Sequence, residues 1–312
     1  LNLSGDYIYN VNELTESYAY YQRVNAKALY SNMFGKLSSN TSLGLSLGKD
    51  TREQNPNDLR SQLATGSSDL GITFNTNGTW NVNRGWLNNI QFTLSGSYRD
   101  KHSYSEQLLG NAFSAYSMSN SDGAVLSNRP GQKVYDNNGV ELTNILPGES
   151  TYYASYLPNE YFSRYDIYGK EVNLFANLKA TFAQKAGSIS NRLVLGADFK
   201  TDGNLGRGKV YDLEAPPYRV LSSENSSPRP RKYSDIPFIN QFSAYAEDNL
   251  NWSMGNRELL SIIGLRYDNF AGKSIVSPRI NLTFEVIPST LWFRGGMGVF
   301  AKAPTALYLY PQ

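Results

Sequence analysis

The stretch IQFTLSGSYR, Ile90 to Arg99, alternates without a break: Ile90, Phe92, Leu94, Gly96 and Tyr98 against Gln91, Thr93, Ser95, Ser97 and Arg99. A period of two puts the first set on one face of a strand and the second on the other. The same period returns in Val172 to Phe182, in Leu193 to Phe199 and in Ile280 to Val286. A tilted strand needs roughly 9–11 residues to cross a bilayer, whereas soluble strands average about 5–6. These runs are of the longer kind. No segment carries a capped stripe at 3.6-residue spacing, so the chain reads as all-β.

Composition narrows the class. With 312 residues the chain is long enough for one large β domain. It contains no cysteine, which excludes disulfides, thiol redox chemistry and thiolate-bound metals. Its 29 basic and 27 acidic residues nearly cancel, so there is no electrostatic footprint for nucleic acid. No run of about 18 apolar residues is present, and Leu1 opens in the middle of a strand pattern, without a signal peptide. Tyrosine is abundant, 23 residues against 14 Phe and 4 Trp. Aromatic girdles would use such residues in an outer-membrane barrel, and so would a carbohydrate-binding surface.

Connection lengths separate these readings. Strands are expected near 1–9, 19–33, 39–49, 68–80, 86–99, 161–182, 190–201, 236–253, 258–270, 276–287 and 290–302, about eleven in all. Short links (GKLSS, NVNRG, AQKAGSIS, SMGNR, IPST) take turns with long ones, the exception being the short AGKS at Ala271 to Ser274. A bacterial outer-membrane barrel has this asymmetry, with brief periplasmic turns and long outer loops. Asn77-Gly78 is a hairpin signal that would split strand 68–80. Trp80, Trp86, Trp252 and Trp292 all fall beside short links, where an inner aromatic girdle belongs.

The segments FSAYAEDNLNW (Phe242 to Trp252), IIGLRYDNF (Ile262 to Phe270), SPRINLTFEV (Ser277 to Val286) and FRGGMGVFAKAPT (Phe293 to Thr305) follow one another in order. In this order and spacing they resemble the barrel of TonB-dependent outer-membrane receptors. The resemblance implies an antiparallel transmembrane β-barrel of twenty-two strands. A plug domain fills that barrel and couples it to the TonB complex. Residues 1–312 are then a partial barrel domain, with the plug absent from this chain. The implied activity is TonB-dependent uptake of a siderophore, vitamin, glycan or peptide, without enzymatic chemistry or a cofactor.

The Tyr- and Asn-rich texture is similar to family members from Bacteroidota, where the SusC-like branch works with a surface lipoprotein. YDNFAGKSIVSPR stands where that branch carries a DGSSRF-type motif, which favours a general receptor. Two other readings fit the strand pattern. One is a self-contained outer-membrane barrel acting as a passive channel or adhesin; the other is an extracellular carbohydrate-binding β domain.

Catalytic and metal-binding constellations are not legible. His102 is the single histidine and reads as a loop residue at a strand end. Asp212 and Glu214 read as a solvated face, and GNLGRGKV (Gly203 to Val210) as a flexible outer loop without Walker spacing. SSPRPRKYSD (Ser226 to Asp235) reads as a basic loop tip. Ligand contacts are expected in STYYASYLPNEYFSRYD, from Tyr152, Tyr153, Tyr156, Tyr161 and Arg164, because aromatic faces with a cation suit sugars or aromatic ligands.

Overall fold

The computed structural model describes residues 1–11, 19–57, 62–110, 116–117, 124–127, 134–135, 141–142, 153–156, 160–211, 215, 232–301 and 309–310. Its strands are β1 (Asn2–Val11), β2 (Ala19–Phe34), β3 (Leu37–Arg52), β4 (Ala64–Arg84) and β5 (Leu87–Gly110). Five short pieces follow: β6 (Tyr116–Ser117), β7 (Ala124–Ser127), β8 (Val134–Tyr135), β9 (Glu141–Leu142) and β10 (Tyr153–Tyr156). Then come β11 (Glu160–Ala186), β12 (Ile189–Asn204), β13 (Gly208–Tyr211), β14 (Ile239–Met254), β15 (Arg257–Phe270), β16 (Lys273–Ile287) and β17 (Leu291–Gly298).

Twelve strands form one antiparallel sheet in the order β1-β2-β3-β4-β5-β11-β12-β14-β15-β16-β17, with β13 folded back onto β11. The sheet is open, since β1 and β17 each have a partner on one side only. All eleven expected wall strands are present, most of them longer than the sequence pattern implied. Asn77-Gly78 does not turn: it runs straight through β4, Asn77 opposite Asn40 and Thr93. Ladder bonds on both sides hold that segment extended, which overrides its local turn preference. The short AGKS link is a tight hairpin, with Ala271 and Gly272 at φ 47° and 81°, the positive pair that a type I′ turn requires.

Register sorts the wall into two faces. Val24, Leu47, Leu70, Phe74, Phe92, Leu174, Leu178, Leu195, Phe199, Phe242, Leu265 and Met297 all fall on one face, as the pairings connect them. Asn40, Asn75, Gln91, Ser97, Asn177, Asp198, Glu247, Arg266 and Arg279 fall on the other. The apolar face has no second layer over it: Leu43, Leu178 and Leu265 are 53%, 56% and 54% exposed. Among the described residues the only buried hydrophobics are Val194 and Tyr211. A soluble sandwich would cover such a face, since uncovered apolar patches of this extent belong to membrane or protein contacts. Asp248 is a carboxylate inside the apolar band, where it accepts a hydrogen bond from the Asn191 amide at 3.0 Å.

Apart from the tight Ala271-Gly272 hairpin, the short turns lie at one end and the longer connections at the other, so β5 and β11 run outward and back. They are 24 and 27 residues long, about twice what a bilayer requires. Their outer halves, from about Tyr98 and Val172, therefore project past the membrane as a hairpin. GNLGRGKV is not simply a loop, because Gly208–Tyr211 adds to this hairpin as β13.

Candidate functional site on the polar face and the outer hairpin

On the polar face, charged side chains join strands that are not adjacent. Arg23 of β2 pairs with Asp69 of β4 at 2.9 Å, and the residue between them on β3 is Gly48. Glu247 of β14 meets Arg279 of β16 in the same way, across Gly264 of β15. A Cβ on Gly48 would stand 2.4 Å from Asp69 Oδ1, and one on Gly264 2.8 Å from Arg279 Nε. The glycines clear the ground over which the ion pairs reach. Arg266 completes the ladder, bonding Asp268 at 3.0 Å and Asp198 at 3.2 Å, while the buried Ser243 hydroxyl donates to Asp268 at 2.6 Å.

Ser243, Glu247, Gly264, Arg266, Asp268 and Arg279 are letters of the segments that carried the family resemblance. Their spacing in sequence follows from their position on one face of three consecutive strands.

The outer hairpin carries a second constellation, divided between the two faces of β11. Away from the lumen, His102 Nε2 and Asp166 are 2.7 Å apart, and the His102 ring stacks on Tyr168 at 4.4 Å and 5°. Arg164 also bonds Asp166 at 3.1 Å, reaches Glu106 at 3.7 Å, and lies 4.6 Å over the Tyr104 ring. Arg207 covers the Tyr168 ring at 4.2 Å. Partial burial raises the Asp166 pKa, but the hydrogen bonds from Arg164 and His102 outweigh it and hold the carboxyl below its ordinary value. His102 is thus a paired strand residue and not a loop histidine: it lies opposite Ser68 and Tyr168 in the ladder.

On the lumen side stand Tyr161, Ser163, Tyr165, Lys209 and Tyr211, the last two brought there by β13. Lys209 Nζ lies 4.8 Å over the Tyr165 ring. Burial pushes the Tyr161 hydroxyl up to about 12 and the Lys209 ammonium down. Tyr161 and Arg164 therefore point to opposite faces, so the sequence grouping of the two is not a spatial one. Tyr152 lies outside the described residues, and Tyr153 and Tyr156 belong to β10, which pairs with β7 in parallel. Asp212, Glu214 and most of SSPRPRKYSD lie outside the described residues as well. Tyr165 shares the period-two pattern of Tyr161 and was legible in the sequence; Lys209 was not, because nothing local specifies that β13 folds back.

Trp80 and Trp252 share the apolar face near the short-turn end, linked through Ile90, Ala180, Leu195 and Ala246. Trp86 sits in the turn before β5, 65% exposed. Trp292 lies opposite Glu285, on the polar face. Nearness to a turn is a property along the strand, whereas a girdle position also requires the lipid-facing parity, which Trp292 lacks.

A strand wall with a bare apolar face, an ion-paired polar face, short turns at one end and long loops at the other is the wall of an outer-membrane β-barrel. Residues 5–312 match the family model described as TonB dependent receptor-like, beta-barrel, and the chain belongs to that family. The family is one of outer-membrane receptors for nutrient uptake. No curated protein matches the chain at a significant level.

Proposed function

We propose that this wall is part of a larger, plug-filled barrel that imports a ring-bearing, anionic nutrient, captured first at the lumen side of the outer hairpin. The observation that carries this reading is the grouping of Tyr161, Tyr165, Tyr211 and Lys209 on one face, beyond the membrane and at the mouth. Tyrosine faces stack on sugar or aromatic rings, and a half-buried ammonium is a strong partner for a carboxylate or phosphate once water is displaced. Tyr152, Tyr153 and Tyr156 are carried as further ligand contacts on the sequence pattern alone, and Arg164 acts from the opposite face by fixing Asp166 and the hairpin. Trp80 and Trp252 anchor the wall at the inner interface.

The unpaired edges of β1 and β17 are where further wall strands add. A twenty-two-strand closure accommodates both. The Tyr-rich texture supports an origin among Bacteroidota, and a surface lipoprotein over the mouth is the partner that origin suggests.

Deleting the locus and scoring growth on single nutrient sources identifies the ligand as the source on which growth fails. Complementation with wild type should restore growth only when TonB is functional, and Lys209→Ala should lower uptake at limiting ligand about tenfold through a higher half-saturation constant. Restored growth without TonB would establish a passive channel instead.

A further inference from the structure

Cations on the lumen face are of two kinds. Arg23, Arg266 and Arg279 are each bonded to a carboxylate. Arg99, Lys101, Lys179, Lys185 and Arg192 form no ion pair among the described residues. Register places these five on one strip of the wall. Lys101 and Arg99 stand on β5 opposite Gly169 and Glu171, Lys179 and Lys185 on β11, and Arg192 on β12 opposite Ala183. All share the parity of Gln91, Asn177 and Asp198, so they face the lumen. The strip runs from above the outer membrane boundary to the short turns.

Few carboxylates offset this charge. Glu171 is the one carboxylate on the lumen face of β5 and β11 among the described residues. On β12, Asp198 is engaged by Arg266 and the Asn177 amide, and Asp202 by Lys200. Lipid on the far side of a wall one layer thick cannot screen the excess, so its field is focused into the lumen. Two features point to an oxyanion as its partner. Lys209, on the capture surface opposite Ile167, stands one row above Lys101. Below it a hollow of about 460 Å³ lies between Arg99 and Lys27 of β2, lined by Gly44, Gly71, Ser97 and Glu171. Lys27 also forms no ion pair among the described residues. A Cβ on Gly71 would meet nothing closer than 3.6 Å, so the hollow is open.

We propose that the strip is a lane for the oxyanion group of the imported nutrient. That group passes from Lys209 to the hollow between Lys27 and Arg99, and then down past Lys179, Arg192 and Lys185. Between the two sets of cations, the hydroxyls of Ser97 and Thr93 and the amides of Asn173 and Asn177 supply hydrogen bonds in place of water. The inference rests on the reading of an anionic nutrient captured at the mouth. Carboxylates of a protein segment filling the lumen would neutralise the same cations, and the test separates the two.

The chain has no cysteine, so single cysteines can report the local potential. Full-length receptor in detergent carries Ser97→Cys in the outer part of the lane, Ala183→Cys in the inner part, or Asn40→Cys away from it. Each is reacted with two methanethiosulfonate probes, one bearing a sulfonate and the other a trimethylammonium group. The ratio of anionic to cationic rate should be about tenfold higher at Ser97→Cys and Ala183→Cys than at Asn40→Cys. Adding Arg99→Gln and Lys101→Gln should lower the outer ratio to the Asn40→Cys value, and Arg192→Gln should lower the inner one. Glu171→Gln should raise the outer ratio. In cells, Arg99→Gln with Lys101→Gln should slow growth even at saturating amounts of the source on which the deletion strain fails. Lys209→Ala should slow it only at limiting amounts. A heat-dependent gel shift confirms that each variant is folded. Equal ratios at the three sites, or lane cysteines that react with neither probe, overturn the lane, because protein groups then neutralise or fill it. Unchanged growth of the folded Arg99→Gln, Lys101→Gln variant overturns it too. An unchanged half-saturation constant in Lys209→Ala strikes the capture surface alone.

Discussion

Arg23 and Asp69 belong to strands that do not touch, yet their side chains meet at 2.9 Å above Gly48 on the strand between. The arrangement recurs with Glu247, Gly264 and Arg279. In a sheet one layer thick there is no core to stiffen the wall. Ion pairs that skip a strand tie three strands at once, and the glycine is what makes the skip possible.

Gly48→Ala should cost more than its small size suggests. Its Cβ would displace Asp69 Oδ1 and Arg23 Nη2, losing an ion pair of about 1 kcal/mol between partly buried partners. Gly71→Ala on the same face meets nothing closer than 3.6 Å and should be near neutral. Thermal unfolding in detergent, followed by circular dichroism, checks the contrast; a loss as large in Gly71→Ala would mean that strand flexibility, not the ion pair, is at stake.

The Glu247–Arg279 pair should show a measurable coupling. Arg279 is about half exposed, at 51%, so solvent screening limits the coupling to about 0.5–1 kcal/mol. The cycle of Glu247→Gln, Arg279→Gln and the double variant reads it directly. Additive losses would show that the pair contributes nothing beyond its separate members.

The tryptophans should divide by face. In single-tryptophan variants reconstituted with brominated lipid, Trp80 and Trp252 should be quenched strongly. Trp86 in its turn and Trp292 opposite Glu285 should respond to aqueous iodide. Lipid quenching of Trp292 would contradict the register of β17.

Asp166 should make the outer hairpin acid-sensitive. Its folded pKa lies below the ordinary carboxyl value of about 3.9, so its stabilisation is complete above that value and is lost as pH falls through the lower folded one. Arg164, His102 and Glu106 face it, together with the Tyr104 and Tyr168 rings. Hydrogen exchange of residues 163–168, corrected for intrinsic rates, should rise below about pH 4 in wild type. In Asp166→Asn it should be high already at pH 7 and respond less to acid.

Period two marked the strands around Ile90, Val172, Leu193 and Ile280, because an apolar face toward lipid and a polar face toward water demand alternation, and the lengths of the links placed the other wall strands. The motif segments were legible for the same reason: Arg266, Asp268 and Arg279 sit at fixed parity on consecutive strands. The ligand surface was less so. Tyr161 and Arg164 are three residues apart, an odd step, and an odd step on a strand changes face.

Strand positions, the two faces and the inside–outside asymmetry of the connections were thus written in the sequence itself, since each depends only on local alternation and turn length. Which side chains meet was decided by tertiary structure. Arg23 finds Asp69 across 46 residues and His102 finds Asp166 across 64, and the fold-back of β13 puts Lys209 on Tyr165. Such pairings depend on register between partners far apart in the chain, and a slip of one residue would send every side chain to the other face.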